Sequence, residues 1–187
     1  ERKSLGEEHP SYATSLNNLA LLYHSMGSYE QAVVVHKQAL EIRRQTLGED
    51  HPDYAISLSN LANLYTTMGS YEQALPLNQQ AVEIHRTALG EDHPDFALSL
   101  LELASLYQCM ASYGQALPLN QQAMKSIRTA LGDDHPHYAL SLSNLANLYT
   151  NMGSYEQALP LNQQAMEIQR NALGEEHPDY ASSLHSV

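Results

Sequence analysis

A 42-residue period constrains this chain more than any other feature. Gly6, Gly48, Gly90, Gly132 and Gly174 recur at that spacing, as do His9-Pro10, His51-Pro52, His93-Pro94, His135-Pro136 and His177-Pro178. A fixed period of this size marks stacked supersecondary units that bury their faces against one another, rather than one central core. The 187 residues are expected to form a single array of units at 7–48, 49–90, 91–132 and 133–174. Residues 1–6 read as the tail of a preceding unit, and residues 175–187 as the start of a truncated fifth. Neither end carries a polar capping helix, so a stretch of a longer array is expected.

The unit reads most clearly from Ser57 to Leu89, with a near copy from Ser141 to Leu173. A first helix is expected from about Asp53 to Met68. Asp50 or His51 serves as N-cap, and Pro52 sits in the first turn, where a missing N–H costs little. Acidic Glu49, Asp50 and Asp53 face the positive end of the helix dipole. Tyr54, Leu58, Leu61, Tyr65 and Met68 recur at helical spacing, giving an all-α fold rather than strands. Gly69 can take the left-handed conformation that ends a helix.

The second helix is expected from Ser70. Ser70-x-x-Gln73 fits a capping box, repeated from Ser28, Ser112 and Ser154. Tyr71, Ala74, Asn78, Ala81, His85 and Ala88 form one stripe, and Leu75, Val82 and Leu89 a second. Two stripes imply two packing neighbours. Pro76, Pro118 and Pro160 lie inside this helix, where a bend rather than a break is expected. Val34 at the same place predicts a straighter helix in the first unit. In the third unit Ala111 replaces the turn glycine, so that turn is expected to be strained or differently shaped. Gly114 there replaces the early glutamate, and Leu101 and Glu102 replace Ser59 and Asn60.

Leu58-x-x-Leu61-Ala62-x-x-Tyr65, followed by Gly69, Ala74 and Ala81, resembles the tetratricopeptide repeat. The resemblance covers essentially the whole chain. The period exceeds the roughly 34 residues of the common form. With the Leu-Gly-Glu-Asp-His-Pro linker and Asn-Leu-Ala-x-Leu-Tyr, the chain looks like the long subclass found in kinesin light chains. It is also similar to large bacterial repeat proteins that carry nucleotide-binding or caspase-like domains. The resemblance implies a right-handed α-α superhelix whose first helices line a concave groove for peptides or partner surfaces.

If the Tyr54 stripe faces inward, the opposite arc lines that groove. The candidate partner-binding residues are Asn17, Asn18, Asn60, Asn63, Thr67, Asn144, Asn147 and Asn151. Ser59, Thr66, Leu101, Glu102 and Ser143 lie on the same arc. An asparagine amide donates and accepts, so a ladder of them can pair with an extended peptide backbone. The arc holds no Lys or Arg, so tight capture of an acidic C-terminus is not expected.

Charge narrows the partner classes. Nine basic and 21 acidic residues give a net charge of −12, which repels nucleic acid and anionic lipid. No run approaches the roughly 18 apolar residues of a membrane helix, and the N-terminus opens no signal region. One cysteine, Cys109, excludes an internal disulfide and fits a reducing, cytoplasmic setting.

Neither a metal, a cofactor nor catalysis is expected. The linker histidines stand one per unit, too far apart to converge on zinc, and His135-Pro136-His137 is the best local pair. Cys109 has no neighbouring His, and Gly90-Glu91-Asp92 is an acidic linker that would repel phosphate. The expected role is a protein-interaction scaffold with a protein or peptide partner. The alternatives are a spacer or end-to-end self-associating array, or the sensor region of a larger protein.

Overall fold

The computed structural model describes residues 10–173. The expected tail at residues 1–6 and the expected fifth-unit start at 175–187 lie outside the described residues. Among the described residues eight helices run in order: α1 Pro10–Ser25, α2 Tyr29–Leu47, α3 Pro52–Thr67, α4 Tyr71–Leu89, α5 Pro94–Cys109, α6 Tyr113–Leu131, α7 Pro136–Asn151 and α8 Tyr155–Leu173. No strand occurs among the described residues. The chain divides into two compact units, residues 1–90 and 91–187. In the first unit α1 pairs with α2 and α3 with α4, and α2 packs on α3. In the second, α5 pairs with α6 and α7 with α8, and α6 packs on α7.

Helices α3, α5 and α7 start on histidine. His51 sits in extended backbone, and its Nδ1 accepts the Asp53 N–H at 3.1 Å. His93 accepts from Asp95 and His135 from His137 in the same way, each at 3.1 Å. An imidazole nitrogen thus does the work usually given to a Ser or Asp oxygen, satisfying one of the donors a helix start leaves over.

The first helices end in a Schellman turn. The Gly69 N–H bonds the Thr66 carbonyl at 3.0 Å, and the Ser70 N–H reaches back to Tyr65 at 2.8 Å. This needs a left-handed residue, and Gly69 has φ 71°. In the third repeat Ala111 takes the same place at φ 55°, with bonds to Gln108 at 2.9 Å and from Ser112 to Tyr107 at 2.8 Å. The turn is strained as expected, but its shape is unchanged.

Three of the four expected capping boxes do not form. Ser28, Ser70 and Ser112 make no side-chain cap bond. A capping serine needs extended backbone, whereas Ser70 closes the preceding turn at ψ 59°. Its carbonyl instead accepts from Gln73 and Ala74 at 3.1 and 3.2 Å.

The second helices run unbroken through Pro76, Pro118 and Pro160. Helices α2, α4 and α6 stop at glycines the sequence marked only by spacing. Gly90 has φ 90° and ψ 165°, a region essentially reserved for glycine.

Packing follows the stripes and exceeds them. Tyr54, Leu58, Leu61 and Tyr65 are buried, while Met68 is exposed. Leu64, outside the expected stripe, is also buried, so α3 is covered on two sides. One core cluster gathers Tyr54, Ala55, Leu58, Ala81 and Ile84, with Leu40 of α2 and Leu77 of α4 against it. A second gathers Ala13, Leu16 and Ala39 with Tyr12, Val35 and Ile42. Each large apolar side chain fully buried this way contributes about 1.5–3 kcal/mol. On α4 the first stripe is buried at Ala74, Asn78, Ala81 and His85, and Leu75, Val82 and Leu89 are half-buried.

Candidate functional site

Each first helix leaves one arc open at spacings of four, three and four. On α3 the arc is Ile56, Asn60, Asn63 and Thr67; Ile56, Asn63 and Thr67 are exposed and Asn60 is half-buried. On α7 it is Leu140, Asn144, Asn147 and Asn151, with Asn144 half-buried and the rest exposed. An aliphatic knob thus precedes two amides on both helices, followed by Thr67 on α3 and by a third amide, Asn151, on α7. On α1 the row reads Thr14, Asn18, Leu21 and Ser25, all exposed. On α5 it reads Leu98, Glu102, Ser105 and Cys109, with Glu102 half-buried.

Hydroxyls on these helices are turned to their own backbone. Thr67 donates to the Asn63 carbonyl at 3.0 Å, Thr66 to Ala62 at 2.9 Å and Ser25 to Leu21 at 3.0 Å. With the Thr67 hydroxyl hydrogen so placed, Asn60 and Asn63 are the side chains of the α3 row that can both donate and accept.

Asn17 does not belong to this row, contrary to expectation. It is 5% exposed. Its Nδ2 donates to Ser57 Oγ at 3.3 Å, and its Oδ1 lies 3.1 Å from His36 Nδ1. Because that oxygen can only accept, His36 carries its proton on Nδ1. Burial, and next the charge of His24, lower the His36 pKa to about 4, so its ring is neutral at pH 7. Ser59, also expected on the open arc, is likewise buried. Asn17 is closed over by the second helix of its own hairpin, through His36.

Arg43 completes this buried polar group and was invisible in the sequence, where an arginine on a helix reads as surface. Its guanidinium donates to the Asp53 carbonyl at 2.7 Å, to Ser57 Oγ at 3.0 Å and to Thr14 Oγ1 at 3.2 Å. Three neutral acceptors on α1 and α3 hold a cation that burial disfavours.

Other cations are held on the second helices. Arg44 forks onto Glu41 at 2.9 and 2.7 Å, and Arg86 onto Glu83 at 3.0 and 2.6 Å. These bonds hold the Glu41 and Glu83 carboxyls below their ordinary range. Arg128 pairs with Asp133 and lowers that carboxyl likewise. The open arcs carry no basic residue and one acid, Glu102.

His135 and His137 stack edge to face with ring centroids 5.1 Å apart. His135 Nδ1 already caps α7, which removes it as a ligand in this arrangement. Among the described residues no three His, Cys, Asp or Glu converge on a point. Cys109 is an exposed free thiol. No helix among the described residues is long and apolar enough to cross a membrane.

A tetratricopeptide-repeat family model matches residues 2–45, 11–87, 53–128 and 95–150, and a second one matches residues 139–179. The chain is similar to a putative kinesin light chain with nearly identical TPR-like repeats from Podosopora anserina. Identity is 32% over 95% of this chain and 84% of that one, with TM-score 0.81. A point variant of that same protein aligns at 31% identity, the same coverage and TM-score 0.82. BtubC (BKLC) from P. vanneervenii shares the fold, at TM-score 0.77 and 23% identity over 91% of this chain and 68% of that one. No curated protein matches the chain. The repeated hairpin and these similarities together place the chain in the tetratricopeptide-repeat family, in its kinesin-light-chain-like form.

Proposed function

We propose that this chain is a protein-interaction scaffold that holds an extended segment of a partner protein along the open arcs of its first helices. The observation that carries this reading is the repeated row of one aliphatic and two amide residues. It recurs as Ile56, Asn60 and Asn63, and again as Leu140, Asn144 and Asn147. The amides pair with peptide backbone, and the aliphatic residue covers one apolar side chain of the ligand. Asn18, Thr67 and Asn151 extend the row. Family membership supports the general role, because tetratricopeptide repeats mediate protein–protein binding. The absence of basic residues from the arcs disfavours a strongly acidic ligand. Catalysis has no part in this reading.

The test is a peptide-library binding screen of the chain against its Asn63→Ala/Asn147→Ala double variant. Both positions are exposed, so the fold should be unaffected. Loss of the selected peptides supports the arcs as the binding face. Unchanged binding in the double variant removes that assignment.

A further inference from the structure

The third hairpin differs from the others in where it carries charge. In the open row, the position held by Asn18, Asn60 and Asn144 elsewhere is Glu102. On the second helix of that hairpin, both glutamates of the pattern are gone. Gly114 stands where the other hairpins have Glu30, Glu72 and Glu156, and Lys125 where they have Glu41, Glu83 and Glu167. Helix α6 therefore carries Lys125 and Arg128 and no acid, while α5 carries Asp95 and Glu102 and no base. In the hairpin before it, α4 carries Glu72 and Glu83 against Arg86, and α3 carries Asp53 alone.

This hairpin sharpens a separation that runs along the chain. Among the described residues every Lys and Arg lies on a second helix, from Lys37 on α2 to Arg170 on α8. The first helices carry Asp53, Asp95 and Glu102 and no Lys or Arg. Asp53 and Asp95 stand in first turns, which favour a carboxylate whatever the ligand. Glu102 lies in the middle of α5, where the helix ends give it no such reason to be acidic.

We propose that the partner segment held by the open arcs carries a lysine or arginine that seats on Glu102. The proposal rests on the reading of those arcs as the binding face and adds the chemistry of its ligand. The asparagines of the row can pair with any peptide backbone, whereas a carboxylate accepts charge-assisted bonds from a cation and repels an acid. Glu102 is half-buried, so a pair made there is screened less than one in open solvent. Leu98, one turn earlier on the same row and 42% exposed, covers an apolar side chain beside the cation. The net charge of −12 acts in the same sense at longer range, drawing a basic segment in and making its capture sensitive to salt.

The experiment is selection of a displayed random-peptide library on the full chain. The affinities of the selected peptides are then measured for the wild type, for Glu102→Gln and for the Asn63→Ala/Asn147→Ala double variant. Glu102→Gln keeps the side-chain shape and removes the charge, and circular dichroism checks that each variant folds. Enrichment of Lys or Arg at one peptide position is expected, with affinity about fivefold lower for Glu102→Gln, the upper end for a partly exposed pair. Replacing that basic residue of the peptide by Gln is expected to cost the wild type a similar factor and Glu102→Gln nothing, which separates a charge pair from a change of shape. Selected peptides with no enriched basic position, or with equal affinity for Glu102→Gln and the wild type, overturn the proposal. If those peptides are still lost in the double asparagine variant, the arcs remain the binding face. Basic peptides that respond to Glu102→Gln but not to the double variant support the proposal and remove the amide rows instead. A selection that returns no peptide overturns both.

Discussion

Arg43 donates to Ser57 Oγ at 3.0 Å across the α2–α3 contact, and the same nitrogen reaches the Asp53 carbonyl at 2.7 Å. One side chain thus ties the end of the first hairpin to the start of the second. Arg43→Ala leaves these buried acceptors without their donor, and charge-assisted bonds of this kind are worth about 1.5–3 kcal/mol each. Allowing for repacking, thermal or urea unfolding is expected to show a loss of about 2–3 kcal/mol. A double-mutant cycle with Ser57→Ala should return a coupling of about 1 kcal/mol, because the two share a bond. Additive effects would remove the link.

Ala111 holds a left-handed backbone at φ 55° that costs a side-chain-bearing residue about 1 kcal/mol. Ala111→Gly is expected to raise stability by about that much in urea titration, and Gly69→Ala to lower it by a similar amount. No atom lies within 4 Å of a Cβ built on Gly69, so the effect is conformational and not steric. A neutral Ala111→Gly would show that the turn relaxes freely.

Gly90 should be less forgiving than Gly69. Its φ of 90° and ψ of 165° lie where other residues pay about 1–3 kcal/mol. Gly90→Ala is expected to destabilise more than Gly69→Ala in the same assay, although a Cβ there also meets nothing within 4 Å. Equal losses would place both glycines in one class.

His36 makes stability depend on acidity. Its native pKa is lowered to about 4, against 6.5 for the ordinary side chain. Between these values the unfolded chain binds the extra proton and the folded one does not. Stability therefore falls as pH drops from about 6.5 toward 4, and this contribution is complete above 6.5. His36→Asn, which copies the residue at Asn78, Asn120 and Asn162, is expected to flatten that part of the pH–stability curve. A curve unchanged by the substitution would assign the slope to other groups.

Much of the fold is legible in the sequence. Apolar spacing from Tyr54 to Tyr65 gave the first helix to within a residue at each end, and His51-Pro52 gave its start. One apolar stripe describes a helix covered on one side, and α3 is covered on two, so Leu64 lies outside the stripe and is still buried. Asn17 and Arg43 are buried too and escape a sequence reading, because a polar residue reads as exposed unless its partners are known. Those partners, Ser57, Asp53 and His36, lie many residues away and meet only on folding. The Ser70-x-x-Gln73 signature misled for a local reason: the serine was already spent in closing a turn. For the binding face, spacing picked out an open row on each first helix but no occupant, since solvent-facing amides leave no trace of what they meet.

The buried position shared by His36, Asn78 and Asn120 is answered differently from hairpin to hairpin. His36 turns to Asn17, whereas in the hairpin where Leu101 replaces Asn17, Asn120 donates to the Ala116 carbonyl of its own helix at 3.1 Å. Hairpins that look interchangeable by outline are therefore keyed individually. Exchanging α1 with α5 while leaving the second helices in place would set Leu101 against His36 and strand a proton with nowhere to go. Any recombination of this chain that respects the 42-residue frame must keep each first helix with the second helix it grew up beside.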